Sequence, residues 1–192
     1  MRYRPEHKEA THRRIVKAAS EEFRSHGFEG VGIAKLMGDL KLTHGGFYAH
    51  FADKEALVAE SSTLALQQSL DTMLAALDTG GVPAMLDLYL SEAHRDNPAL
   101  GCPLPTLTAE VARHSLSSRE AFTGKLSEVL DAVAEYVPGQ TGTLKHANTY
   151  ALFAAMAGAV SLARAVSDPV LSKAILDSTR QNLLCSIKDR TS

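Results

Sequence analysis

Residues 33–57 read IAKLMGDLKLTHGGFYAHFADKEAL, and the fold follows from this stretch. Ile33, Leu36, Met37 and Leu40 recur at the three- and four-residue spacing of one helix face. Thr43, after a short turn, offers a hydroxyl N-cap to a second short helix that runs toward Ala49. Leu42 closes the turn against Phe47 and Phe51, which read as core. Asp53 then caps a third, longer helix. Two short helices across a tight turn, the second opening at a hydroxyl residue, form a helix-turn-helix arrangement. Thr43, His44, Gly45, Gly46, Tyr48 and His50 are left on or near the outer face. Thr43, Tyr48 and His50 can all reach phosphate oxygens. Lys54 opens the next helix, where its charge opposes the helix dipole but suits a phosphate neighbour. Gly45-Gly46 is costly within a helix, at roughly 1 kcal/mol per glycine relative to alanine. It reads either as a plain turn or as a place where backbone closely approaches another macromolecule.

Outward from this stretch the pattern stays helical. Ile15, Val16, Ala19 and Phe23 place an amphipathic helix over about 9–26, with Arg13, Arg14, Lys17, Glu21 and Arg24 on its polar side and Gly27 stopping it. The helix capped by Asp53 carries Leu57, Leu64, Leu70, Leu74 and Leu77 to a break at Thr79-Gly80-Gly81. Pro83 then opens a helix to about residue 94, and a short one follows over 104–113. Ser117-Ser118-Arg119-Glu120 reads as a capping box that opens a helix to about residue 136. A long helix over 143–166 and a last one, started by Asp168-Pro169 and reaching about residue 187, complete the chain. No segment alternates with period two. The expected fold is all-α with about nine helices, residues 1–60 forming a helix-turn-helix domain and 61–192 a second helical domain.

The chain has 192 residues, of which 45% are hydrophobic, so it can bury a core and is neither disordered nor fibrous. Its formal charge is −2, but the charge is unevenly placed. Residues 1–17 carry Arg2, Arg4, Lys8, Arg13, Arg14 and Lys17 against Glu6 and Glu9, a net +4, whereas residues 61–192 sum to −3. Five of the eight histidines lie in the first 50 residues, so a polyanion is to be sought at that end. Cys102 and Cys185 are too few and too far apart for a disulfide scaffold. Residues 1–14 lack the apolar core of a secretory signal, and the apolar run 150–163 is short for a membrane span, so a soluble cytoplasmic protein with no membrane partner is expected. No metal-ligand spacing and no glycine-rich loop after a strand is present, so neither metal, cofactor nor catalysis is expected.

The run Thr43-His44-Gly45-Gly46-Phe47-Tyr48-Ala49-His50-Phe51-Ala52-Asp53-Lys54-Glu55-Ala56-Leu57 strongly resembles the DNA-binding signature of the TetR (tetracycline-repressor-like) transcriptional regulators. The lead-in from Arg14 through Phe23 to His26-Gly27-Phe28 resembles that family's first helix and its Gly-aromatic turn. The resemblance is specific over about residues 10–60. Gly101-Cys102-Pro103-Leu104 with Ala109-Glu110 resembles one of its subgroups. It implies that Thr43, Tyr48, His50 and Lys54 contact phosphates of a double-stranded operator while His44 and Gly45 face the major groove. Two positions depart from the pattern. Gly32 replaces the usual Ser or Thr, so one phosphate contact is missing, and Lys41 replaces the usual turn glycine, which would add a phosphate contact and distort the turn. Arg, Lys, Asn and Gln, the usual base readers, are absent between Leu42 and Phe51, so sequence would be read by His44, by close backbone contact and by DNA shape.

The resemblance further implies a homodimer and an unidentified small-molecule effector. Leu152, Ala155, Met156, Ala159, Leu162 and Ala163 form one apolar stripe, and Ile175, Leu176, Leu183, Leu184 and Ile187 a second. From pattern alone these stripes could lie inside one subunit; the resemblance pairs them with their copies in a four-helix bundle. Tyr89, Phe122, Leu126, Tyr150, Phe153 and Met156 would line a ligand cavity, or else simply pack. Cys102, in a Gly-Cys-Pro turn near a helix start, has two readings: a small buried packing residue, or an electrophile or oxidant sensor. A helical small-molecule-binding or interaction module without DNA binding is the alternative, and the basic first helix and the Thr43–His50 signature count against it.

Overall fold

The structure, a computed structural model, describes residues 5–189; Arg2 and Arg4 of the basic N-terminal stretch lie outside them. Helices α1 (Pro5–His26) and α2 (Ile33–Asp39) are followed by a 3₁₀ helix, His44–Ala49, and by α3 (Lys54–Tyr89). Then come α4 (Glu92–Asp96), a 3₁₀ turn at Pro98–Leu100, α5 (Leu104–Val111), α6 (Leu116–Ala134), α7 (Gly142–Ala165) and α8 (Pro169–Asp189). No strand occurs among the described residues. The architecture is all-α, as expected.

The first helices enclose their own core. Ile15, Ala19 and Phe23 of α1 meet Leu36 and Met37 of α2, Phe47 and Phe51 around the 3₁₀ helix, and Leu57 of α3, all almost fully buried. Phe23 and Phe28 pack edge to face at 5.1 Å. Gly27 ends α1 with φ +74°, and its amide donates to the Phe23 carbonyl. The same glycine leaves room for the Glu110 carboxylate, which accepts a hydrogen bond from the Phe28 amide at 2.6 Å. The end of α1 is thereby tied to α5.

α3 carries the chain from this head into the body, packing first on α1 and then on α6. The break expected at Gly80-Gly81 is a kink inside one continuous element, with Gly81 at φ +65°, so α3 counts as two helices and the α-helix total among the described residues becomes nine. Pro83 sits just past the kink, where its missing N–H costs little. Two expected boundaries shift. α3 ends at Tyr89, and Ser91 caps a separate short helix by accepting from the His94 amide. The residue capping α6 is Ser115, which accepts from the Ser118 amide, so the helix starts two residues earlier than expected and the capping box expected at 117–120 does not form. Pattern could not separate these serines; a carboxylate from another helix selects one.

That carboxylate is Glu55, in the first turn of α3. It accepts hydrogen bonds from the Ser115 hydroxyl at 2.7 Å, the Ser118 hydroxyl at 2.6 Å and the His114 ring at 2.7 Å. Desolvation pushes its pKa up, but the hydrogen bonds outweigh this and hold it at about 2. A carboxylate depressed in the folded state stabilises the fold above its ordinary value of 4.5 and loses that contribution as pH falls toward 2. Glu55→Gln should therefore lower Tm at neutral pH, and the gap to the unmodified protein should close between pH 4.5 and 2; thermal melts across that range check it. A gap independent of pH would show that the charge of Glu55 is not what matters.

Candidate nucleic-acid interface and ligand cavity

The 3₁₀ helix is positioned by its two ends. At its start Thr43 is extended, and its Oγ1 accepts from the Gly46 amide at 3.2 Å, the cap read from sequence. At its end Phe47 and Phe51 stack at 5.2 Å over the head core. Between them His44, Gly45 and Tyr48 face outward, Tyr48 with 64% of its surface exposed. Lys41 and Thr43 are exposed on the same side, and Lys54 is half-buried at the start of α3.

Neither glycine is required by its backbone angles. A Cβ on Gly46 would press on the Thr43 Oγ1 at 3.3 Å, so Gly46 serves the cap. A Cβ on Gly45 would meet nothing within 4 Å. Nothing within the chain demands a glycine at 45.

Lys41 closes α2 in the left-handed region at φ +59°. Its amide donates to the Gly38 carbonyl and that of Leu42 to the Met37 carbonyl, each at 2.9 Å, the pair of bonds that ends a helix in a Schellman motif. Glycine is the usual residue there because it carries no Cβ to clash. The distortion expected of the turn is absent: its hydrogen bonds are regular, and the cost of the missing glycine falls on the left-handed backbone of Lys41 alone. Lys41→Gly should raise stability by up to about 1 kcal/mol, read as a higher denaturation midpoint.

His50 departs from expectation. It is half-buried with its ring 6.0 Å from that of His12, and its Nδ1 is buried without a partner. Burial, and then His12 and Lys8, push its pKa down, so the ring is neutral near pH 7 and half-buried where an outward-facing one was expected. It lines a groove instead. His7, Lys8 and Thr11 of α1 form one wall, and Lys41, Thr43, Gly46 and His50 form the other, around about 490 Å³. Sequence reading noted the basic character of α1 but did not place its first turns beside the Thr43 cap.

In the body a second space, about 230 Å³, opens between α3 and the segment that follows it. Tyr89 and Cys102 line it, with Ser69, Met73, Leu88, His94 and Leu100 among their neighbours. The other expected pocket residues do not line it. Phe122, Phe153 and Met156 are buried packing residues, Leu126 is half-buried against the core, and Tyr150 points outward with 54% exposed. Helical period alone could not fix which way each face turned.

The segment bearing Cys102 is clamped. The Cys102 amide donates to His94 Nε2 at 2.9 Å, so His94 Nδ1 carries the proton and donates to the Tyr89 carbonyl at 2.6 Å. Burial lowers the His94 pKa, which keeps the ring neutral. Gly101 lies so close to this ring that a Cβ would come within 2.6 Å of it. Cys102 is 4% exposed, and burial pushes its thiol pKa up despite the Ser69 and Tyr89 hydroxyls beside it. The structure therefore holds a buried, protonated packing thiol and not the accessible thiolate that direct sensing of electrophiles needs.

Arg24, read from sequence as part of the polar face of α1, is only 1% exposed. Its guanidinium donates to the Ser20 carbonyl at 3.0 Å, the Gly101 carbonyl at 2.9 Å and Gln68 Oε1 at 2.7 Å. Burial lowers its pKa from the usual value. From the other side Arg164 of α7 donates to the carbonyls of His94 and Arg95, each at 2.9 Å. The cavity segment is thus pinned between the head and α7.

Residues 15–61 match the family profile described as "Bacterial regulatory proteins, tetR family", the span from the middle of α1 into α3. The N-terminal head is a TetR-family domain. The remainder of the chain shares the TetR fold. A TetR-family transcriptional regulator from Chloroflexus aurantiacus superposes with TM-score 0.73 over 95% of this chain and 96% of that one, at 22% identity. One from Cytophaga hutchinsonii gives 0.71 over 94% and 96%, at 21% identity. The A-factor receptor protein of Streptomyces griseus is 33% identical over 75 residues, which cover 36% of this chain and 27% of that protein. The chain therefore matches about a quarter of that relative's length. Among the described residues no helix is long and apolar enough to cross a membrane.

The faces of α7 and α8 differ from the expected interface. Leu152, Ala159 and Leu176 are buried within the single chain, and Ala155, Ile175, Leu183 and Ile187 are half-buried. Of that set Leu162 alone is exposed, at 59%. The outward stripe of α7 is instead Ala147, Tyr150, Ala151, Ala154, Gly158 and Leu162.

Proposed function

We propose that this chain is a TetR-family transcriptional regulator, a sequence-specific DNA-binding repressor that acts as a homodimer on a palindromic operator and is relieved by a small molecule. In this reading residues 1–60 bind DNA, 61–192 bind the effector and the second subunit, the protein works in the cytoplasm, and it catalyses no reaction. The observation that carries it is Gly45: an exposed glycine with open space around its missing side chain, set among Lys41, Thr43, His44 and Tyr48. Close approach of a DNA backbone or base edge explains a residue that the chain's own packing does not. Lys41, Thr43, Tyr48 and Lys54, joined by Lys8 across the groove, supply the phosphate contacts, and His44 with the Gly45 backbone faces the major groove. His50 acts from behind, as a wall of the groove.

Gel-shift measurements with the chain's own upstream DNA at two salt concentrations test this. Gly45→Ala should leave Tm unchanged or slightly higher while DNA affinity drops at least tenfold. Lys41→Ala and Thr43→Ala should weaken binding to all sequences alike, the former also flattening the salt dependence. His44→Ala should lose affinity unevenly across single-base operator variants. Unaltered binding by Gly45→Ala would remove the main support for the interface.

One helix-turn-helix gives weak binding, and a two-fold dimer presents two recognition segments about 34 Å apart. The outward stripe of α7 is small and apolar enough for close helix packing against a copy of itself. Leu162→Arg should convert dimer to monomer in analytical ultracentrifugation without lowering helix content, since Leu162 is exposed in the single chain. A dimer unaffected by this change would place the interface elsewhere.

The relief step requires that effector and DNA favour different arrangements of head and body. Among the contacts that join them are Arg24 to Gly101, Glu55 to Ser115 and Ser118, and Glu110 to the Phe28 amide. All three engage the stretch 101–118, so a shift of that stretch moves all of them. A relative named as a receptor supports a ligand-responsive reading.

A further inference from the structure

The cavity between α3 and the Ser91–Cys102 segment has a chemistry of its own. Tyr89 is 3% exposed and lines the cavity, and among the described residues its hydroxyl has only the weak Cys102 thiol beside it, with no oxygen or nitrogen partner. A buried unpaired hydroxyl costs about 1–3 kcal/mol, so its retention calls for a partner. No Lys, Arg, Asp or Glu lines the space. The nearby guanidiniums of Arg24 and Arg164 have turned their N–H groups onto carbonyls and side-chain oxygens. His94 is neutral, with both ring nitrogens engaged. An ion entering here would lose its hydration and gain no counter-charge. Ser69, Thr72, Ser91 and Asn97 add uncharged polar groups to walls that expose more apolar than polar surface, and the mouth carries two exposed large apolar side chains, Leu88 at 41% and Leu100 at 74%. At about 230 Å³ the space falls below the range of about 300–1,000 Å³ usual for drug-sized ligands.

We propose that this cavity binds a small, uncharged, mainly apolar molecule whose carbonyl oxygen accepts a hydrogen bond from the Tyr89 hydroxyl, and that its occupancy is transmitted to the head through Gly101 and Arg24. The site rests on the ligand-relieved reading above and assigns it a place and a ligand class. Transmission follows from the clamp. Gly101 and Cys102 form one wall of the cavity, and the Gly101 carbonyl is a direct acceptor of the Arg24 guanidinium. Gly101 has no slack against the His94 ring, so a ligand that displaces the Cys102 side must either move Gly101 or be excluded. Arg24 sits in the last turn of α1, three residues before the Gly27 turn that leads to α2.

Acetophenone, ethylbenzene and benzoate, titrated into the full-length protein by calorimetry without DNA, separate the possibilities. Acetophenone should bind saturably, once per chain, and benzoate should not bind. Tyr89→Phe should weaken acetophenone about 3- to 10-fold while changing ethylbenzene less than twofold. The same substitution removes an unpaired hydroxyl and should keep or raise Tm, so a loss of binding cannot come from unfolding. Hydrogen exchange over residues 20–28 should change when acetophenone is bound. Absence of acetophenone binding, equal binding by Tyr89→Phe, or preference for benzoate would each overturn the assigned site. Binding without altered exchange in α1 would overturn the transmission step. Because no DNA is present, these results stand apart from the gel shifts: DNA binding can survive while the cavity assignment fails, and the reverse.

Discussion

A buried guanidinium is the constraint on which the arrangement of head and body depends. Arg24 has been taken out of water with no carboxylate hydrogen-bonded to it, and its charge is met by the carbonyls of Ser20 and Gly101 and the amide oxygen of Gln68. Those acceptors come from α1, from α3 and from the segment before α5, so three separate elements must be in register to satisfy one side chain. A buried charge left without its partners is strongly destabilising, and this makes the register a cooperative one. Displacing any of the three elements leaves the other two with an unsatisfied cation. The proposed relief by a small molecule needs two arrangements, and a discrete element of this kind separates them where continuous deformation of a packed interior would not.

Glu55 and Glu110 work to the same end with opposite charge. Each carboxylate reaches across from one element to donors on another: Glu55 from α3 to the turn before α6, and Glu110 from α5 to the chain leaving α1. Along the sequence all of these contacts converge on residues 101–118, which also contribute one wall of the cavity and the cap of α6. The cavity on one side and the candidate DNA-binding face on the other are therefore linked through a short stretch of backbone, the stretch through which the proposed coupling runs.

Much of the head was legible in the sequence because its determinants are local. The Thr43 and Asp53 caps, the Gly27 stop, the burial of Phe47 and Phe51 and the exposure of His44 and Tyr48 all follow from spacing within a few residues. At Lys41 the resemblance marked the position where glycine is usual, but not that the turn would keep its regular form around a left-handed lysine. In the body the same tools gave helices but not their facing. Leu152 and Ala159 turned out to be interior and Leu162 exterior, because a broad run of alanine and leucine presents apolar residues on every side of α7. Tyr150 went astray with them.

The sequence by itself determined the secondary structure, the helix-turn-helix and the chemistry exposed on it, because each depends on propensities and caps that act over one or two turns. Only the tertiary structure decided that Arg24 is buried, that Ser115 caps α6, that His50 turns inward and that Tyr89 and Cys102 share a cavity. Each of those joins residues 25 or more apart in the chain or sets a side chain against another helix. Such choices are made by packing and by the need to satisfy buried polar groups, and no local pattern records them.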